Sequence, residues 1–83
     1  MSKGIFTSRQ KKLLTLLRQV RLEAGLSQKE LAERLNRSQS FVSKFEQGEL
    51  RLDILELYEF CKSVGISLQE FIRRFEDTLD ETE

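Results

Sequence analysis

Apolar residues recur along the chain at the three- and four-residue spacing of amphipathic helices, and no stretch alternates as a half-buried strand does. Leu13, Leu17, Val20 and Ala24 make one stripe, and Leu31, Ala32 and Leu35 a second. Val42 and Phe45 follow, then Ile54, Leu57, Cys61 and Val64, then Leu68, Phe71, Ile72 and Phe75. The residues between these runs are helix punctuation. Ser27 is followed three positions later by Glu30, Asp53 by Glu56 and Ser67 by Glu70. In each pair the first oxygen takes a free backbone N–H and the acid reaches back, a capping box. Each cap also has an apolar residue before it with a partner five positions on: Leu26 with Leu31, Leu52 with Leu57, Ile66 with Phe71. Ser38 is a plain cap, and Thr7 or Ser8 caps the first helix. Gly25, Gly48 and Gly65 close periodic runs and supply the left-handed residue that ends a helix, and Asn36 does the same for the second run. The spacing predicts helices over 8–24, 28–35, 39–46, 54–64 and 68–79, sharing one core.

Length and composition narrow the class. Eighty-three residues make one all-α domain, residues 1–83, with a flexible arm over 1–7, a five-helix body over 8–79 and an acidic tail over 80–83. A domain this small buries only about 60–65% of its unfolded surface, which favours a partner subunit. No apolar run approaches the roughly 20 residues that cross a bilayer, and the N-terminus lacks a signal-peptide core. Cys61 is the only cysteine. It lies inside an apolar stripe, as a small buried residue rather than a reactive thiol. These features point to a cytoplasmic protein. There is no His, no nucleophile beside a base, no metal-ligand cluster and no phosphate-cradling glycine loop. An enzyme is therefore not expected, and neither is a cofactor or a metal.

Charge adds a direction. The net charge is zero, yet residues 1–51 hold eleven Lys/Arg against five Asp/Glu, and residues 52–83 hold three against nine. Such a chain can turn its basic half toward a polyanion and keep its acidic half away. The informative segment is LSQKELAERLNRSQSFVSKFEQGE, residues 26–49. Two short helices joined by a tight link at Asn36–Arg37 form a helix-turn-helix unit, whose second helix can enter a DNA major groove. Val42 and Phe45 turn that helix inward. Gln39, Ser40, Ser43 and Lys44 then face outward, with no acid among them. Gln pairs with adenine, Lys donates to guanine and Ser serves either. Gln28 at the start of the preceding helix can donate to a phosphate, and Arg37, Ser38, Gln47 and Arg51 flank the second helix as phosphate grips. Lys3, Arg9, Lys11 and Lys12 form either an arm on DNA or a solvated face.

These residues resemble the XRE-type helix-turn-helix family, which includes lambdoid phage repressors, Cro proteins and restriction–modification controller proteins. The resemblance rests on R-x-x-x-G-L-S-Q-x-E-L-A across Arg21–Ala32, S-x-x-x-V-S-x-F-E-x-G across Ser38–Gly48 and V-G-I-S-L-x-E-F across Val64–Phe71. It covers about three-quarters of the chain, from near Leu13 to Phe75. It implies a compact five-helix lambda-repressor-like fold that binds double-stranded DNA, usually as a dimer. By position it assigns Gln28 to phosphate and Gln39, Ser40, Ser43 and Lys44 to bases. Phe41 would touch a thymine methyl or lean on the backbone. Arg21 and Glu46 match an internal ion pair that ties the first helix to the end of the recognition helix. The chain departs from the family at Leu52, often Pro, and at Asn36, often Gly. The acidic end, DTLDETE, is not a family feature.

Leu68, Ile72, Phe75 and Leu79, with Phe71 beside them, form a short coiled-coil-like seam. Some of this seam covers the domain's own core, and the rest is surplus apolar surface that favours a homodimer, with Leu50, Leu52, Phe71, Ile72, Phe75 and Leu79 as the expected interface. Three functions fit: first, a sequence-specific transcription regulator, a repressor or autoregulator that binds a palindromic operator as a homodimer; second, an antitoxin that also binds a toxin protein; third, an interaction module on the same fold. No membrane partner is expected.

Overall fold

The structure is a computed structural model that describes residues 7–82, with the backbone alone for residues 81 and 82. The expected arm up to residue 6, with Lys3, lies outside the described residues, as does Glu83. The chain forms α1 (Ser8–Glu23), α2 (Gln28–Leu35), α3 (Gln39–Gln47), α4 (Ile54–Val64) and α5 (Leu68–Thr82).

Local chemistry explains most of these limits. Thr7 is the cap of α1, accepting the Gln10 N–H at 3.1 Å. Ser27 and Asp53 form complete capping boxes with Glu30 and Glu56. At α5 the box is half made. Ser67 accepts the Glu70 N–H, but the Glu70 carboxylate turns to Arg73. A guanidinium one turn along offers two N–H bonds where the cap offers one. Asn36 ends α2 in the left-handed conformation, at φ 57°, where a short polar side chain is tolerated. The last helix runs three residues past its expected end at 79. Nothing in that stretch breaks a helix, because it holds neither Gly nor Pro.

The helices close around Leu16, Leu17, Val20, Leu26, Leu31, Ala32, Phe41, Val42, Phe45, Phe60, Cys61 and Phe71. Four of these fall outside the expected stripes: Leu16, Phe41 and Phe60, and Leu26, expected only as the apolar residue before the Ser27 cap. Ala24, Ile54 and Ile72 were expected inside and are exposed. The difference at α4 is a rotation of its buried face by about one residue, which brings Phe60 inward and turns Ile54 out. The cause is aromatic packing. Phe45 of α3, Phe60 of α4 and Phe71 of α5 meet edge to face, with ring centroids 5.9 and 6.1 Å apart. Such pairs add about 0.5–1.5 kcal/mol each beyond area burial. Cys61 is buried among them, and burial pushes its thiol up to about 11.

Polar links tie the elements from outside. Arg34 of α2 donates to the Ser63 carbonyl at 2.8 Å, close to the C-terminus of α4, where a cation is favoured. Arg74 of α5 grips Glu23 of α1 through two hydrogen bonds of 3.0 and 3.1 Å.

Phe60→Ala is expected to cost about 3–5 kcal/mol, read from urea unfolding, while Leu22→Ala on the exposed face of α1 changes stability by less than about 0.5 kcal/mol. The pH dependence follows from three carboxyls. Arg74 holds Glu23, the Ser27 N–H holds Glu30 and Arg73 holds Glu70 below their ordinary value near 4.5. Folded values below unfolded ones give stability that is complete above the unfolded value and is lost as pH falls through the folded one. The melting temperature should therefore hold level down to about pH 5 and decline below it, and Glu23→Gln should flatten part of that decline.

Candidate nucleic-acid interface

Helices α2 and α3 pack closely across a three-residue turn, Asn36–Ser38. The turn is closed by backbone bonds from Asn36 and Arg37 back to α2, with the Arg37 N–H reaching the Ala32 carbonyl at 3.0 Å. Ser38 then starts α3 by accepting the Phe41 N–H at 3.2 Å. Val42 and Phe45 face the core with essentially no exposure, which sets the rotation of the helix. Gln39, Ser40 and Lys44 are exposed on the other side, and Ser43 is half-buried beside them. The outward surface thus carries amides, hydroxyls and one ammonium.

The orientation of α3 is held at its far end by Glu46. Arg21 Nε donates to Glu46 Oε2 at 2.6 Å and Nη2 to Oε1 at 3.1 Å. The two side chains are only 7% and 5% exposed. The third arm of the guanidinium, Nη1, donates to the Leu26 carbonyl at 2.8 Å. Glu46 Oε1 also accepts from Gln28 Nε2 at 3.0 Å. One carboxylate therefore joins α1, α2 and α3, and it orients the Gln28 amide at the start of α2.

Several expected contacts are placed differently. Phe41 is not on the surface: its ring is only 8% exposed and packs edge to face on Phe45, with centroids 5.4 Å apart. The backbone-contacting role expected for its side chain is withdrawn, because the ring completes the core under α3. Arg37 covers that ring, its guanidinium 3.7 Å from the centroid, and lies 3.6 Å from Glu56 of α4. The stacking was legible in the four-residue spacing of Arg37 and Phe41, which places them on one face. Ser38, Gln47 and Arg51 are exposed around the ends of α3.

Part of the expected dimer seam is buried in the chain's own core. Phe71 has no exposed surface and cannot meet a partner, because it is the far member of the aromatic chain. Leu52 and Phe75 pack against the protomer's own core, and Leu79 is half-buried. Leu50 and Ile72 remain open, at 39% and 38% exposure. The two most exposed large apolar side chains, Leu55 and Ile54, lie at the start of α4 with exposed Tyr58 beside them, and Leu22 of α1 follows them in exposure. Leu55 and Tyr58 are three apart and opposite the Leu57–Cys61–Val64 stripe, so the pattern that marked the buried face left them on the outside.

Among the described residues no group of His, Cys, Asp and Glu is arranged to hold a metal, and no helix is long and apolar enough to cross a membrane.

Glu46→Ala should destabilise the protein by about 3 kcal/mol, because Arg21 is left buried without its counter-charge. Glu49→Ala, one residue past the Gly48 cap and exposed, should change stability by less than about 0.5 kcal/mol. Thermal unfolding of the two variants checks the contrast.

Comparison with known proteins places this geometry. The model of a family described as helix-turn-helix matches residues 17–71. A Sinorhizobium fredii protein described as the uncharacterized HTH-type transcriptional regulator y4dJ is 32% identical over 59 residues, covering 71% of this chain and 77% of its own. An XRE-family-like protein from Pseudomonas syringae pv. tomato superposes with a TM-score of 0.80 at 44% identity, covering 93% of this chain and 94% of that one. A mutant of the restriction–modification controller protein C.Esp1396I superposes with a TM-score of 0.82 at 23% identity, covering 93% and 98%, and so shares the fold. The five-helix arrangement, the helix-turn-helix at α2 and α3 and these matches agree: the chain belongs to the XRE-type helix-turn-helix family of non-enzymatic, DNA-binding transcription regulators.

Proposed function

We propose that the protein is a sequence-specific regulator that binds a palindromic operator in double-stranded DNA as a homodimer and acts there as a repressor or autoregulator. The observation that carries this reading is the outward surface of α3. Its first turns present Gln39, Ser40, Ser43 and Lys44, a set that can read base edges and that includes no acid to repel phosphate. A base-reading helix must also be held still, and Glu46 fixes α3 to α1 and α2 before any ligand arrives.

Roles follow from position. Gln39, Ser40, Ser43 and Lys44 face the bases. Gln28 donates to a phosphate: one N–H of its amide is held by Glu46, and the other remains for an oxygen on the backbone. Ser38, Gln47 and Arg51 grip phosphates at the two ends of α3. Arg37 joins them by leaving Glu56, its partly exposed partner, for a phosphate. Phosphate contacts of this kind set register, and the base contacts set sequence. The relative described as an HTH-type transcriptional regulator supports regulation as the outcome of binding. A dimer would present two copies of α3 about 34 Å apart, one turn of DNA.

Selection of bound duplexes from a random library tests the proposal. An inverted repeat with half-sites about 10 base pairs apart is expected. On the selected site Gln39→Ala should cost about 1–3 kcal/mol and relax one position. Arg51→Ala should weaken all duplexes alike and lower the salt slope by about one. No enrichment at low salt would overturn the reading.

A further inference from the structure

Helix α4 packs on α2 and on α5 and meets Phe45 of α3 through Phe60, while its outer face is open to water among the described residues. On that face Leu55 is 72% exposed, Ile54 61% and Tyr58 45%. These are the most exposed large apolar side chains of α4, and they are contiguous on its first two turns. They leave on the order of a few hundred Å² of apolar surface in water, as much as the largest patch of a typical monomer. That is also a substantial share of the roughly 800 Å² that each partner buries in a stable interface.

We propose that this first half of α4 is the surface on which a second copy of the chain docks, about a two-fold axis passing near Leu55. The partner identified here rests on the dimeric reading above; the surface does not coincide with the seam that the sequence pattern suggests on α5. Three observations favour a copy of this chain as the occupant. Leu55 lines a mainly apolar groove of about 160 Å³ between α3 and α4 together with Phe41, Leu52 and Phe60, with Arg37 and Glu56 among its polar lining. A projecting side chain beside a groove on the same patch is what an isologous contact needs, since each copy then offers both halves. The rim carries both signs, with Glu59 and Lys62 exposed on the same side of α4, so the patch does not repel its own image. The face also lies on a different helix from the base-reading residues, and the short segment from Gly48 to Asp53 joins it to the end of α3. Docking there leaves Gln39, Ser40, Ser43 and Lys44 open and ties the separation of two reading helices to one contact.

Sedimentation equilibrium of the full chain, with Leu55→Glu and Ile72→Glu variants, tests the surface. The wild type should associate as a dimer. Leu55→Glu should weaken association by at least about 100-fold, because the buried charge enters the contact twice, with helical circular dichroism unchanged. Ile72→Glu should leave association unchanged. Tyr58→Glu is the second probe and should behave like Leu55→Glu. A wild-type monomer at all attainable concentrations overturns both this surface and the dimeric reading. A dimer that survives Leu55→Glu and Tyr58→Glu overturns the α4 surface alone, and dissociation by Ile72→Glu instead moves the contact to α5. Duplex binding measured on the same samples separates the DNA reading: a dimer broken by Leu55→Glu that binds no duplex in either form keeps the surface and sinks the regulator.

Discussion

A guanidinium taken out of water has to find acceptors for its N–H groups, and Arg21 finds them on Glu46 and on the Leu26 carbonyl. The arrangement of α1, α2 and α3 depends on this. Arg21 comes from the last turns of α1, Leu26 from the link into α2 and Glu46 from the end of α3. Burial makes each partner necessary to the others, since either charge alone would be costly. The same carboxylate takes the Gln28 amide, so the start of α2 is aligned by the group that holds the end of α3. Rigidity of the helix-turn-helix is thus a consequence of electrostatic satisfaction as much as of apolar packing.

The apolar side of α3 is fixed by a different means. Phe41 and Phe45 begin a run of edge-to-face contacts that passes through Phe60 to Phe71. Each ring is wedged by the next, so rotation of α3 would unseat residues on α4 and α5. This explains why Phe41, in the first turn of a helix proposed to face DNA, is withdrawn from the surface. It also explains why Arg37 has a flat surface to lie on. The ring is structural, and the cation above it is what remains for solvent or phosphate.

The polarised charge of the chain finds a matching arrangement in space. The helix-turn-helix carries the cations and amides of the proposed DNA face, while α4 and α5 carry the larger cluster of carboxylates, where Arg73 pairs with Glu70 and Asp77 and Arg37 with Glu56. Between these regions the first half of α4 offers a bare apolar surface edged by Glu56 and Glu59.

The helices and their caps were readable from the residues alone, because caps, left-handed ends and apolar spacing are local physics. Ser27, Asp53, Asn36 and the glycines act within a few residues of themselves, and the structure keeps each of them near where it was expected. The rotation of α3 was equally legible, since Val42 and Phe45 allow only one inward face. The burial of Phe71, expected on the dimer seam, and of Phe41, expected at the surface, was not, and the cause is the same in both. An apolar side chain at a helical spacing states that it avoids water; it does not state whether its own core or another chain removes it from water. Tertiary packing decided that by threading Phe41, Phe60 and Phe71 into one aromatic chain, which used up α5's best residue and left Ile54, Leu55 and Tyr58 outside.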